Sequence, residues 1–253
     1  MHKRGFTAAA LAWGVVGSPV PAGAYDLKPM VIQIRPSGSG SSATAVITNT
    51  HPVPVAIEIR AFRREQQPDG TDKLIPEERD IIMSPPQMVI APKASQSFRI
   101  QWVGEARPER ELAYRIVTEQ LPIQFSKVTR NDRTADLTMR YRYEMALYVE
   151  PEGTKPSARI VSAETVSGKD GAREVALRIR SDGGMRAILD KPVLQLSPAS
   201  GGASVRIEGD ALKQLVGMNI LPGNERLIRI PAPPGLADGK LTGTLASEYV
   251  VLR

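Results

Sequence analysis

The chain has 253 residues, a formal charge of +6, no cysteine and only 5% aromatic residues. The missing cysteines exclude disulfides, thiol nucleophiles and thiolate metal sites. The positive charge is spread along the chain without a dense run, which argues against nucleic-acid binding.

The first element is a secretory signal. "MHKRG" is a basic n-region, "FTAAALAWGVVG" is too short to span a bilayer, and Ala22 to Ala24 form an A-x-A cleavage pattern. Cleavage after Ala24 predicts an exported protein, in a form that suits a bacterial periplasm. Setting Lys3 and Arg4 aside lowers the charge from +6 to +4. No later segment has the roughly 18 apolar residues of a membrane helix, so no membrane insertion is expected.

From Tyr25 onward the sequence reads as strands and turns. "MVIQIRP" ends in proline. "ATAVITNT" puts Ala43, Ala45 and Ile47 on one face. "VAIEIRAFRRE" does the same with Val55, Ile57 and Ile59, and "QQPDGTD" turns the chain. Pro85 and Pro86 split "IIMSPPQMVIAP" into two short runs, and "ASQSFRIQWVG" aligns Phe98, Ile100 and Trp102. "ERELAYRIVTEQLP" has a helical composition, but its core, Ala113 to Val117, serves equally as a strand, which the neighbouring pattern favours. "IQFSKVTRNDRTAD" is a polar, basic loop.

"LTMRYRYEMALYV", Leu137 to Val149, then alternates strictly, its odd positions apolar or aromatic. At about 13 residues this face exceeds a typical strand of 5 or 6. Leu137, Met139, Tyr141 and Tyr143 are spaced at about 6.8 Å on one side. A sandwich strand buries one face in its own core, and that alone accounts for the alternation; a face this long also fits an overhang that offers an edge to another chain.

"EPEGTKPSA", Glu150 to Ala158, is a linker. Beyond it lie further strands: "ARIVSAETV", "REVALRIRSDG", "AILDKPVLQLSP", "ASVRIEG", "RLIRIPAP" and "KLTGTLASEYVVLR". "DALKQLV" predicts one short helix, N-capped by Asp210, with Leu212, Leu215 and Val216 on one side. The expected fold is all-β: two β-sandwich domains in tandem, at 25–149 and 150–253, after a signal peptide at 1–24.

Catalysis finds little support. His2 lies in the signal and His51 in the turn "NTHPVP"; no G-x-S-x-G, H-E-x-x-H or phosphate-loop pattern occurs. Glu77, Glu78 and Asp80 read as a charged loop. No enzyme activity, cofactor or metal is expected.

The sequence resembles the periplasmic chaperones of the chaperone–usher pilus-assembly pathway. The resemblance rests on "VITNT", "SPPQMVIAPKASQSFRIQW", "ELAYRIVTEQLP", the loop and alternating strand from Ile123 to Val149, and "NILPGNERLIRIP", in that order. It implies two immunoglobulin-like domains set in an L around a cleft. It also implies donation of the seventh strand of the first domain to an unfinished pilus subunit, with release at an outer-membrane usher. Leu137, Met139, Tyr141 and Tyr143 would then face the subunit, and Met145 to Val149 would pack internally. Self-association is one way the free protein could shield the same strand, and the sequence leaves it open. The family holds the subunit's C-terminal carboxylate with two basic residues, but those positions fall on Gln33 and Ala146 here. Arg115, Arg35 and Arg142 are the nearby substitutes, with Arg115 favoured. A second class, an immunoglobulin-like structural pilus or surface subunit, fits the strand content but not two complete domains.

Overall fold

A computed structural model describes residues 25–122 and 140–252. The signal peptide, the basic loop, and Leu137 and Met139 lie outside the described residues. Among the described residues, seventeen strands make up almost all the regular structure.

The first ten strands are β1 (Asp26–Lys28), β2 (Val31–Ile34), β3 (Ser42–Thr48), β4 (Val55–Gln66), β5 (Asp72–Glu77), β6 (Ile81–Ser84), β7 (Gln87–Ile90), β8 (Ser95–Trp102), β9 (Leu112–Gln120) and β10 (Arg142–Val149). One sheet runs β1-β3-β8-β6; the other runs β2-β10-β9-β4-β5, with β7 also on β4. The two face each other because each presents a continuous apolar face. Ile47, Phe98 and Ile100 project from the first sheet, and Ile57, Ile116, Met145 and Leu147 from the second; all are 0–1% exposed. Val55, Ile57 and Ile59 share the buried side of β4, and Trp102 completes that of β8, as the alternation predicts.

The segment with helical composition is strand β9. Its centre is paired on both sides, by β4 and by β10. Tyr114, Ile116 and Thr118 are buried in the sandwich, and Ala113 and Val117 are buried on the opposite face. A strand covered on both faces loses its polar alternation, which is why its composition read ambiguously.

The second group is β11 (Ala158–Ser167), β12 (Arg173–Ser181), β13 (Ala187–Pro198), β14 (Val205–Ile207), β15 (Asn219–Ile220), β16 (Glu225–Pro231) and β17 (Lys240–Tyr249). They order as β14-β13-β17-β11-β12-β16, with β15 on β13. Val175, Leu177, Ile179, Leu189, Leu194, Leu196 and Ile220 fill a separate core, each 0% exposed.

The helix expected at "DALKQLV" is only a 3-10 turn, Gly209–Leu212. Its N-cap position is Glu208, not Asp210, and no side chain caps it. Gly209 and Gly217 bracket the segment at φ 65° and 76°, leaving it too short to sustain an α-helix. Leu212 and Leu215 are buried as expected, but Val216 is 51% exposed.

Candidate functional site

Strand β10 is where the alternating stretch enters the fold. It pairs antiparallel with β9 over its whole length, from Arg142 opposite Glu119 to Val149 opposite Leu112. On its other side β2 runs parallel to it, but only from Ala146 to Val149. The ladder there starts where the Ala146 N–H donates to Met30 O and ends where the Glu150 N–H donates to Ile34 O. Before Met30 the chain has left for the other sheet, where β1 pairs with β3.

Among the described residues, therefore, no strand covers this side of β10 from Arg142 to Met145. Main-chain groups alternate in direction along a strand. The Gln120 N–H donates to Tyr141 O, so odd residues address β9. The N–H and C=O groups of Arg142 and Glu144 point to the uncovered edge.

The odd side chains face the core. Met145, Leu147 and Val149 are 0% exposed. Tyr143 and Tyr141 continue the same face, half-buried, at its open end. Tyr143 meets Tyr25 edge-on at 4.8 Å between ring centroids, and Tyr141 lies 5.8 Å from the His51 ring. Tyr25 donates its hydroxyl hydrogen to Thr118 O at 2.8 Å. Burial pushes the Tyr25 phenol up to about 12. The division of the stretch at Tyr143 is thus visible in burial.

Toward the end of β10 the even side chains, Ala146 and Tyr148, face the second sandwich, whereas Arg142 and Glu144 are exposed. Ala146 packs with Ala113, Tyr148 and Leu221 in a small cluster of its own and is 6% exposed. Leu221, just past β15, lies over the position where the resemblance calls for a lysine. Polar bonds fix this seam: Gln66 Nε2 donates to Asn219 O at 2.9 Å, the Leu221 N–H donates to Gln66 Oε1 at 3.0 Å, and Asn219 Nδ2 donates to Tyr148 Oη at 3.2 Å.

The basic candidates have separate fates. Arg115 stands directly across from Ala146 in the ladder. It shares Asp72 Oδ2 with Arg64, at 3.2 Å and 2.6 Å. Two guanidinium groups against one carboxylate leave that cluster one positive charge in excess, and all three side chains are less than 20% exposed. Arg142 is exposed and pairs with Glu144 at 2.9 Å. Arg35 is exposed just beyond β2. Gln33 Nε2 donates to Leu252 O at 2.9 Å, so Leu252 lies beside β2.

Sequence reasoning missed a buried triad at the same seam. Arg186 Nη1 donates to Glu111 Oε2 at 2.5 Å and to Glu150 Oε1 at 2.9 Å, and its guanidinium lies 3.8 Å from the Tyr148 ring centroid. The only local signal was position: Glu111 immediately precedes β9, and Glu150 immediately follows β10. Among the described residues, no group of three or more metal-ligating side chains occurs.

The family model for pili and flagellar-assembly chaperones, PapD N-terminal domain, matches residues 29–155, half of the chain. The chain belongs to this family. Among solved structures, a chain of a chaperone–tip adhesin complex of CFA/I fimbriae biogenesis aligns with a TM-score of 0.54 at 13% identity, covering 88% of this chain and 98% of that one. A chain of the CsuC–CsuE chaperone–tip adhesion subunit pre-assembly complex, from the archaic chaperone-usher Csu pili of Acinetobacter baumannii, gives 0.54 at 16%, covering 87% and 98%. The class 5 fimbriae chaperone CfaA gives 0.53 at 12%, covering 90% and 100%. At these identities the likeness is one of fold: two immunoglobulin-like sandwiches in tandem. No match was found among curated proteins.

Proposed function

We propose that the protein is a periplasmic chaperone that binds pilus or fimbrial subunits by lending them the strand from Asp136 to about Tyr143, and delivers them to an outer-membrane usher. The carrying observation is the uncovered edge of β10 at Arg142 and Glu144, continuous with the half-buried Tyr141 and Tyr143. An incomplete subunit can satisfy that edge with its own main chain while alternate side chains enter its core. Burying one apolar side chain stabilises by about 1.5–3 kcal/mol. Leu137, Met139, Tyr141 and Tyr143 together would contribute roughly 6–12 kcal/mol before ordering costs. Each main-chain hydrogen bond adds only about 1 kcal/mol net. Side chains would therefore set affinity and the ladder would set register.

In this reading the domains are 25–149 and 150–253, and export follows cleavage after Ala24. Arg115 holds the subunit's terminal carboxylate, because the Arg64–Asp72–Arg115 cluster carries excess positive charge beside the seam. The incoming carboxylate competes with Asp72 for it. The test is co-expression with a pilin subunit. Met139→Asp with Tyr141→Asp abolishes recovery of the complex; a complex that survives both charges refutes the strand assignment.

A further inference from the structure

We propose that the seam between the two sandwiches is a pH-sensitive joint, favoured when Glu111 is protonated and weakened when it is ionised.

The triad at the seam is unbalanced. Glu111 and Glu150 bring two carboxylates and Arg186 brings one guanidinium, whose single Nη1 nitrogen serves both acids. The side chains of Arg186 and Glu111 are 3% and 0% exposed. A buried charge without a matching partner is costly, and with both acids ionised this cluster holds one negative charge too many. Glu111 is the acid with less to keep it ionised: its Oε1 is buried without a hydrogen-bond partner, whereas Glu150 is 13% exposed. Protonating Glu111 leaves a balanced Arg186–Glu150 pair against the Tyr148 ring.

The charged groups facing Glu111 come from two other elements, Arg186 before β13 and Glu150 after β10. Glu109, Arg110, Arg180 and Asp182 line a neighbouring cavity and make no hydrogen bond to it among the described residues. Lys155, in the linker, is exposed, and its carbonyl accepts from the Met185 N–H. Burial pushes the Glu111 carboxyl up from 4.5 to about 7; Arg186 opposes this, and Glu150 adds to it.

The same element joins the sandwiches, since the Glu111 N–H donates to Gly184 O across the seam at 2.8 Å. The docked seam therefore binds a proton that the undocked seam, with Glu111 in water, would release. For an acid whose value is raised by docking, the favourable contribution is complete below the undocked value of 4.5 and is lost as pH rises through about 7. Linkage makes docking about tenfold weaker at pH 8 than at pH 6. This inference is independent of strand donation and can fail without it.

The experiment is a carboxyl-carbon NMR titration of the glutamate-labelled full chain, with amide exchange of Glu111 and Leu221 as the docking readout. Glu111 is expected to titrate near pH 7. Exchange at both amides, corrected for its intrinsic pH dependence, rises about tenfold from pH 6 to pH 8. Glu111→Gln removes that pH dependence. Titration of Glu111 near 4.5, or near 7 with unchanged seam exchange, overturns the proposal; the wild-type measurement decides it even if the variant does not fold.

Discussion

Replacing Ala146 by lysine, the residue the resemblance calls for, should damage this protein. Ala146 sits between Ala113, Tyr148 and Leu221, 6% exposed, with Arg115 directly across the ladder. A lysine there adds three methylenes and an ammonium to a filled space, an overpacking cost of about 1–3 kcal/mol. Its ammonium is then buried, or loses its proton, at a further cost of several kcal/mol. Arg115 adds like-charge repulsion at the adjacent ladder position. The expected loss is roughly 4–6 kcal/mol, a large share of the about 5–15 kcal/mol that holds a domain folded. Denaturant unfolding followed by fluorescence of the buried Trp102 measures it. A loss below about 1 kcal/mol would mean that Leu221 does not close over this position, and the account of the missing lysine would be wrong.

Asn49 is fully buried, and its side-chain nitrogen donates to the carbonyls of Val53, Ile90 and Ala91 at 2.8–3.1 Å. Asn49→Ala leaves these groups unpaired and should cost about 3 kcal/mol in the same unfolding assay. Tyr25 is held neutral by burial, its value raised to about 12. The stability this gives is complete below about pH 10 and falls as pH rises toward 12. Tyr25→Phe should lack that part of the alkaline slope and be about 1–2 kcal/mol less stable at neutral pH. Arg115→Ala should reduce subunit recovery in co-purification several-fold; unchanged recovery excludes it as the carboxylate anchor.

Much of the fold was legible because period-two alternation is a direct record of one-sided burial. Ile47, Ile57, Phe98 and Ile100 were placed on the correct faces by that pattern alone. The pattern weakened where a strand is covered on both faces: Ala113 and Val117 face the second side of β9 and are as hidden as Tyr114 and Ile116. The short apolar spacing of "DALKQLV" resembled a helix, but the flanking left-handed glycines, which local periodicity does not weigh, set its length. At the site, the alternation itself runs unbroken to Val149, and only the resemblance implied that Met145 to Val149 pack internally, as their burial shows. The seam could not be read from the sequence, because Leu221, Gln66 and Arg186 meet their partners only through contacts between distant parts of the chain. The excess charge around Arg115 depends likewise on Asp72, which local sequence placed in a turn.

Amide hydrogen exchange at Arg142 and Glu144, measured in the free protein and in its complex with a pilin subunit, tests strand donation most directly. Their N–H groups face the uncovered edge, whereas those of Tyr143 and Met145 face β9. The account predicts strong protection of Arg142 and Glu144 only in the complex, with Tyr143 and Met145 protected in both states. A subunit that binds without protecting Arg142 and Glu144 would contradict it.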